Sequence, residues 1–179
     1  LHKEYRRQRQ MCIRDSRTFI YERYRNQLIN DFDRNAVEAV IALTPPLHQV
    51  AERVRAAAAF AQLPEAASLA AANKRIGNLL KKAEGDIGGV NDAALVEPAE
   101  KALAAAVAAL RPQAEAQLAA GDFAGSLSTL AQAREPVDAF FADVMVMAED
   151  PAVRANRLAL LSQLHGLMNQ VADISRLAQ

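Results

Sequence analysis

The fold class of this chain follows from one stretch of its sequence, DPAVRANRLALLSQLHGLMNQV at residues 150–171. Aspartate followed by proline is a typical helix start, because the Asp150 carboxylate can accept from free backbone N–H groups and Pro151 fits the first helical position. Apolar residues then recur with a period close to 3.6. The pattern predicts a helix over 151–176 with one buried face, made of Leu158, Leu161, Leu164, Leu167, Met168 and Val171.

The composition extends this prediction to the rest of the chain. Hydrophobic residues make up 51% of the 179 positions, but only 5% are aromatic and none is tryptophan, so much of the apolar content is alanine. Alanine is the strongest helix former, and strand-like alternation is nearly absent. We predict an all-α fold, a single helical-bundle domain, with helices near 17–31, 34–43, 46–61, 65–84, 93–109, 112–120, 123–133, 137–147 and 151–176.

The domain is predicted to cover residues 17–179. A glycine-rich break at 85–89 divides it into two lobes, about 17–84 and 92–179. Residues 1–16 are left out of the fold, because Leu1 is not a natural start and the string MCIRDS at 11–16 looks like translated sequencing-adaptor sequence. We expect a fragment with a non-native or disordered extension at 1–16; the alternative is a basic helical arm that touches RNA.

The charge is balanced overall but unevenly placed. Residues 1–25 hold eight basic and three acidic groups, which leaves 13 basic and 18 acidic groups in the remainder. Proteins that hold RNA by its phosphates usually show a basic surface. Any RNA contact in the body of the chain must therefore use local clusters, and the neutral balance by itself favours a partner-binding or structural role.

Catalytic and cofactor chemistry are not expected of this chain. Its three histidines, His2, His48 and His165, are isolated, and the single cysteine, Cys12, lies in the excluded segment, so no metal site is predicted. The glycines at 85–89 lack the lysine and hydroxyl residue of a phosphate-binding loop. One cysteine and no long apolar run indicate a cytoplasmic protein without a membrane segment.

The first candidate site for RNA is a basic cluster on the predicted helix at 65–84. Four cations and two amides fall within ten positions, and the cations form two pairs seven residues apart, so each pair repeats on nearly one face. Amides can pair with base edges, and lysine and arginine with phosphates. The alternative is an ordinary solvated face. The cluster consists of Asn73, Lys74, Arg75, Asn78, Lys81 and Lys82.

The second candidate lies at the start of the C-terminal helix. Arg154, Asn156 and Arg157 are close in sequence, and the two arginines are surface neighbours at a spacing of three. Arg176 follows about five turns further along the predicted helix. Two alternatives remain open. The arginines could pair with the acids at 149–150, or Arg157, which adjoins the apolar stripe, could form a buried bridge between helices.

A third candidate is an aromatic and basic segment at 19–25, FIYERYR. Splayed anticodon bases often stack on aromatic or guanidinium planes. The same residues also fit i,i+4 packing on a helix, so core packing is expected for at least one of Tyr21 and Tyr24.

Five ordered segments of the chain carry a resemblance to one family. They are FIYERYR at 19–25, ANKRIGNLLKK at 72–82, EPAEKAL at 97–103, PVDAFF at 136–141, and FFADVMVMAEDPAVRANRLALL at 140–161 with VADIS at 171–175. Together they resemble the C-terminal region of the beta subunit of bacterial tetrameric glycyl-tRNA synthetase, an all-helical anticodon-binding domain related to the DALR type. One departure is that Ala155, Asn156, Arg157 and Leu158 stand where arginyl relatives carry Asp-Ala-Leu-Arg, which weakens any transfer of arginyl-type contacts.

The resemblance implies a tRNA-binding module for the anticodon stem-loop of glycine tRNA. It also implies the alpha subunit and upstream beta-subunit domains as partners. The alpha subunit would activate glycine with ATP while the beta subunit grips the tRNA and positions it, so this fragment itself would need no cofactor. The alternative function is a helical protein–protein interaction or assembly domain without direct RNA contact.

Overall fold

The computed structural model describes residues 18–83 and 87–177, and these form helices joined by turns and by longer links. Helix α1 covers 18–31, and it is followed by α2 (Arg34–Ile41), α3 (Leu47–Phe60), α4 (Ala66–Lys82), α5 (Pro98–Ala119), α6 (Phe123–Ala131), α7 (Arg134–Asp143) and α8 (Pro151–Met168). Short 3-10 helices occupy Asp92–Ala94 and Ile174–Arg176. No strand occurs in the described ranges, which confirms the all-α prediction. The predicted extension at 1–16 lies outside them.

Helix α8 begins where the sequence predicts. Asp150 Oδ1 accepts from the backbone N–H of Ala152 at 2.8 Å and of Val153 at 3.4 Å, and Pro151 is the first helical residue. All six residues of the predicted apolar face are buried, with at most 7% of any residue exposed. The helix ends at Met168 rather than near 176, because Asn169 leaves the helical conformation and its amide caps the His165 carbonyl at 2.9 Å.

The two separate helices predicted at 93–109 and 112–120 are wrong, since α5 runs through both as one helix with Pro112 inside it. A proline within a helix removes one backbone hydrogen bond and normally favours a break. The helix continues here because Leu110 and Ala114, on either side of the proline, are buried against neighbouring helices.

Helix α7 is also displaced from the predicted 137–147. It starts at Arg134, so Pro136 falls in its first turn, where a missing N–H costs no intrahelical hydrogen bond. It ends at Asp143, and the chain then continues in an extended conformation. Val144 and Val146 of this link point into the core, whereas Met145 is 74% exposed and Met147 is 50% exposed.

Side chains pack in two buried clusters. The first is formed mainly by α1, α2 and α3 around Val37, Val40 and Val54, and the second by the end of α3 with α4 to α8. Phe140 and Leu161 are among the fully buried residues of the second cluster. Because α4 packs with the C-terminal helices, these units differ from the two lobes predicted at the glycine-rich break.

The buried Arg53 fixes the turn that follows α8. Its Nη1 donates to the carbonyls of Gln170 at 2.7 Å and Val171 at 3.1 Å, and its guanidinium lies 4.7 Å from the centre of the Phe123 ring. Burial lowers the pKa of this arginine. The backbone N–H of Asp173 also donates to the Ala39 carbonyl at 2.8 Å. These contacts hold the last 3-10 helix against the rest of the protein.

Candidate nucleic-acid interface

Helix α4 separates apolar from basic residues around its axis. Leu69, Ala72 and Ile76 are buried on its inner side. The outer side exposes five of the six residues of the predicted cluster, namely Lys74, Arg75, Asn78, Lys81 and Lys82. Within the described part of the chain, no carboxylate forms an ion pair with any of these four cations. The cationic groups of this face are thus available to an anionic partner.

A groove of about 780 Å³ lies between α4 and the turn after α8. Lys74, Asn78 and Lys81 come from α4, and Arg176 comes from the last 3-10 helix on the far side. The Asp173 carboxylate also lines the groove, but its Oδ2 accepts from Arg176 Nε at 3.0 Å. Three cations against one carboxylate give the groove a positive balance, which suits a phosphate-bearing ligand.

The floor of this groove is formed by His165, Asn169 and the backbone at Gly77. His165 is half-buried, and burial lowers the pKa of its imidazole; of the two charges nearby, Asp173 raises this pKa and Lys81 lowers it. Asn169 is held by a reciprocal pair of amide hydrogen bonds to Asn73, at 2.9 and 3.1 Å. The floor is therefore polar, and its Asn169 amide is held in place.

Asn73 is buried, unlike the other five residues of the cluster. It is 1% exposed, and its amide is engaged with Asn169 on α8. Its side chain supports the groove from below and does not face solvent. Asn78, by contrast, lies exposed at the groove, and its amide makes no hydrogen bond to the described residues.

A second cleft, of about 470 Å³, brings the two predicted basic clusters together. Lys82 at the end of α4 and Arg154 in the first turn of α8 both line it, with Met147 and Leu158 between them. Arg154 Nη1 donates to the Ala148 carbonyl at 2.9 Å, which orients its guanidinium beside the exposed link. This juxtaposition of residues 72 positions apart could not be read from the sequence.

Arg75 faces α7 and not the groove. Its guanidinium lies 4.4 Å from the centre of the Phe141 ring, a cation–π contact that still leaves the residue exposed. The Phe141 ring in turn packs edge-on against Phe140, with centroids 5.6 Å apart. Arg75 therefore extends the basic surface of α4 toward α7.

Asn156 and Arg157 hold other parts of the protein together. Asn156 is 8% exposed and exchanges two hydrogen bonds with the backbone of Asn91, at 2.7 and 3.1 Å. Arg157 pairs with the buried Glu100 at the start of α5, and its Nη1 donates to the Met145 carbonyl at 2.8 Å. In this structure Arg157 is the buried bridge between helices that its position beside the apolar stripe allowed.

The residues of the aromatic segment of α1 differ in their roles. Tyr21 is 7% exposed and donates its hydroxyl hydrogen to the Pro45 carbonyl, which confirms core packing for one of the two tyrosines. Arg25 pairs with Glu38, its Nε lying 2.7 Å from the carboxylate oxygen, while Phe19 remains 63% exposed. This segment supplies little of the exposed basic surface.

Sequence reasoning missed His165 as a member of the site, and it grouped Arg176 with Arg154 and not with the cluster of α4. Only the turn after α8 brings Arg176 opposite α4, and the hydrogen bonds of Arg53 that hold this turn span more than 100 positions. The local sequence did carry one signal, an aspartate three residues before Arg176 that caps its 3-10 helix. In the described ranges, no group of three His, Cys, Asp or Glu residues could hold a metal ion, and no helix is long and apolar enough to span a bilayer.

Residues 69–174 match the family described as DALR anticodon binding domain. The chain belongs to this family. The matched region starts within α4 and ends in the last 3-10 helix, so it contains the whole basic cluster of α4, the cleft with Arg154 and the floor of the groove. Anticodon binding is thus the general function of the domain that carries this surface.

Three relatives of the chain carry the same name. The chain is 54% identical over 173 residues to the glycine–tRNA ligase beta subunit of Leptothrix cholodnii, covering 93% of this chain and 24% of that protein. It is 56% identical over 163 residues to the protein of that name from Janthinobacterium sp., covering 89% and 23%, and 50% identical over 162 residues to the one from Neisseria gonorrhoeae, covering 90% and 24%. The chain thus spans about a quarter of the length of these curated relatives.

Proposed function

We propose that this chain binds the anticodon stem-loop of glycine tRNA through the basic side of α4. The observation that carries the proposal is the presence of cations at two depressions that α4 helps to line. Lys74, Lys81 and Arg176 line the groove, and Lys82 and Arg154 line the second cleft. The family match supports the anticodon region of a tRNA as the target, and the names of the relatives support glycine as the amino acid that this tRNA carries.

Within a longer protein, the domain would serve as the recognition arm of a glycine–tRNA ligase beta subunit. Contacts at the anticodon end would hold the distant acceptor end at the site in the alpha subunit where glycine is activated with ATP. Binding energy from remote parts of a substrate can orient the reacting group in this way. The arm itself contributes positioning, and its residues take no part in the chemical step.

A role in protein–protein assembly is the second candidate, and one observation favours it. Met145 and Met147 are well exposed on the link between α7 and α8, and Val96 is 62% exposed on the segment before α5. Exposed apolar groups of this size often mark contact surfaces. The groove lysines can be changed independently of Met145 and Val96, whereas Met147 also lines the cleft with Lys82 and Arg154.

The experiment that tests RNA binding is a salt titration of tRNA affinity. Two groove lysines are changed in the variant Lys74→Ala/Lys81→Ala, and two exposed cations on other helices are changed in the control Arg34→Ala/Lys101→Ala. Each lost phosphate contact should reduce the slope of log K against log salt by about 0.7 to 0.9. We expect a reduction of about 1.4 to 1.8 in the groove variant, and a parental slope in the control.

Fluorescence anisotropy with transcribed glycine tRNA, at about 50 and about 200 mM salt, measures both affinities and slopes. Alanine preserves helicity, so thermal melts of all three proteins should agree closely. If the groove variant and the control bind with equal affinity and equal slope, the RNA surface lies elsewhere. If the parent chain binds no tRNA, the assembly function becomes the better explanation.

A further inference from the structure

The groove beside α4 has a floor that a simple phosphate-binding surface would not need. Gly77 carries no side chain, and a Cβ atom there would lie 3.6 Å from His165 Nε2, so the imidazole closely approaches the backbone of α4. Asn169 is fixed beside it by Asn73 and by its own bond to the His165 carbonyl. An imidazole and a fixed amide thus lie at the bottom of a depression whose edges are cationic.

The edges of the groove are spaced for a phosphodiester chain. Lys74 and Lys81 are seven residues apart, which places them about 10 Å apart along the helix axis. Arg176 and the Ser175 hydroxyl group belong to the opposite side. The volume, about 780 Å³, falls within the range typical of small-molecule sites, roughly 300 to 1,000 Å³. A nucleotide matches this arrangement, because it combines a planar base with negative charge at both ends of its sugar.

We propose that the groove receives one unstacked nucleotide of the bound RNA, with its base against His165 and Asn169 and its phosphates between the α4 lysines and Arg176. This inference rests on the proposed function and specifies the ligand as a single-stranded loop nucleotide. Unpaired bases are recognised by stacking on aromatic planes, including histidine, and by hydrogen bonds to their edges. A fully paired stem has no base free to enter and would contact only the rim.

Filling the groove without changing its charge tests this directly. In Gly77→Leu, the new side chain occupies the floor next to His165, where the first added carbon meets only an ordinary contact. Gly166→Leu is the matched control, because Gly166 is an exposed glycine on α8 with no atom near its absent Cβ. His165→Ala provides a second variant, which removes the proposed stacking partner and keeps all the lysines.

The probes are an RNA hairpin carrying the anticodon loop of glycine tRNA and a set of the same hairpin with one loop base removed at a time. For the parent chain, removal of one particular base should weaken binding about tenfold or more, as expected for loss of one stacked base. Gly77→Leu and His165→Ala should bind the intact hairpin with that reduced affinity and be insensitive to the same base removal. Gly166→Leu should behave as the parent.

Two results would overturn the inference while leaving the proposed function in place. One is equal binding of the intact hairpin by Gly77→Leu and Gly166→Leu. The other is binding that depends on salt and on the lysines but not on any single loop base. A parent chain that does not bind the hairpin at all would overturn both. A thermal melt of each variant establishes that the compared proteins are folded.

Discussion

Replacing Arg157 with methionine would leave the Glu100 carboxylate charged and buried without its partner. Glu100 is 1% exposed, and its Oε1 faces the Arg157 guanidinium. Its Oε2 accepts from the backbone N–H groups of Val96 at 2.8 Å and Glu97 at 3.2 Å, which stay in place in the variant. The substitution therefore removes the ion pair of Oε1 with Arg157, and also the hydrogen bond from Arg157 to the Met145 carbonyl in the link between α7 and α8.

The expected loss in the free energy of unfolding is about 3 to 5 kcal/mol, the usual result of removing one partner of a buried ion pair. Domains of this size are stable by roughly 5 to 15 kcal/mol, so the change is a large fraction of the total. At about 2 to 4 °C per kcal/mol, the melting temperature should fall by about 6 to 20 °C. The double variant Glu100→Gln/Arg157→Met should lose less than the two single changes added together, because neither partner is then left charged and alone.

Chemical denaturation measured by circular dichroism gives these free energies, and anisotropy below the melting temperature gives tRNA affinity. Arg154→Met is the control one turn earlier on the same helix, where the arginine is only half-buried and has no carboxylate partner within the described residues. We expect the two variants to lose different properties. Arg157→Met should lose stability, and Arg154→Met should lose affinity for tRNA. A stability loss below about 1 kcal/mol in Arg157→Met, together with weakened tRNA binding, would refute the structural role assigned to this arginine.

Three further changes probe the groove and the helix start. Asn73→Ala should reduce stability by about 1 to 3 kcal/mol, because it removes the reciprocal pair of amide hydrogen bonds that the buried Asn73 makes with Asn169. Denaturant titration of Asn73→Ala, Asn169→Ala and the double variant should show strong non-additivity. Folding lowers the pKa of His165, so near and below the ordinary histidine pKa of about 6.5 the unfolded chain binds more protons than the folded protein. The stability of the parent should therefore fall as the pH is lowered from about 7.5 to 5.5. Thermal melts of His165→Gln should show a smaller loss of stability over the same pH range. Asp150→Ala should cost about 0.5 to 2 kcal/mol as a lost N-cap, whereas melts of Glu149→Ala should resemble those of the parent.

The helical fold could be predicted because its signals are local. The Asp150–Pro151 start and the apolar period of α8 both lie within a few turns of chain, and the Gly121–Asp122 pair likewise marks the start of α6, where Asp122 accepts from the Gly125 N–H at 2.8 Å. The basic face of α4 was readable for the same reason. Residues seven apart lie near each other on any helix, whatever that helix packs against.

Features that depend on distant residues could not be predicted. Nothing local indicates that Asn73 pairs with Asn169, 96 positions away, or that Arg157 bonds Glu100, 57 positions away. Polar residues at the edge of an apolar stripe can be solvated or buried, and only the facing helix decides between these states. At Pro112 the local sequence favours a break in the helix, but the packing of the buried residues around it keeps α5 continuous.

The zero net charge of the chain is compatible with an RNA-binding groove because many of its acids serve the fold. Four aspartates cap helices with their side chains, namely Asp33, Asp122, Asp150 and Asp173. Glu100 closes a capping box at the start of α5 and holds Arg157. Acids near helix N-termini also meet the positive end of the helix dipole, which offsets part of their charge.

The cations of α4, in contrast, form no ion pair with a carboxylate among the described residues. Charges at the surface are screened over about 8 Å at physiological ionic strength, so an RNA phosphate responds mainly to the groups nearest to it. In the groove these groups are Lys74, Lys81 and Arg176, and the one carboxylate present is already bonded to Arg176. An overall balance that favours a structural role and a local site that favours RNA can therefore exist in the same domain, since several of the acids that balance the charge are engaged at helix starts and in ion pairs.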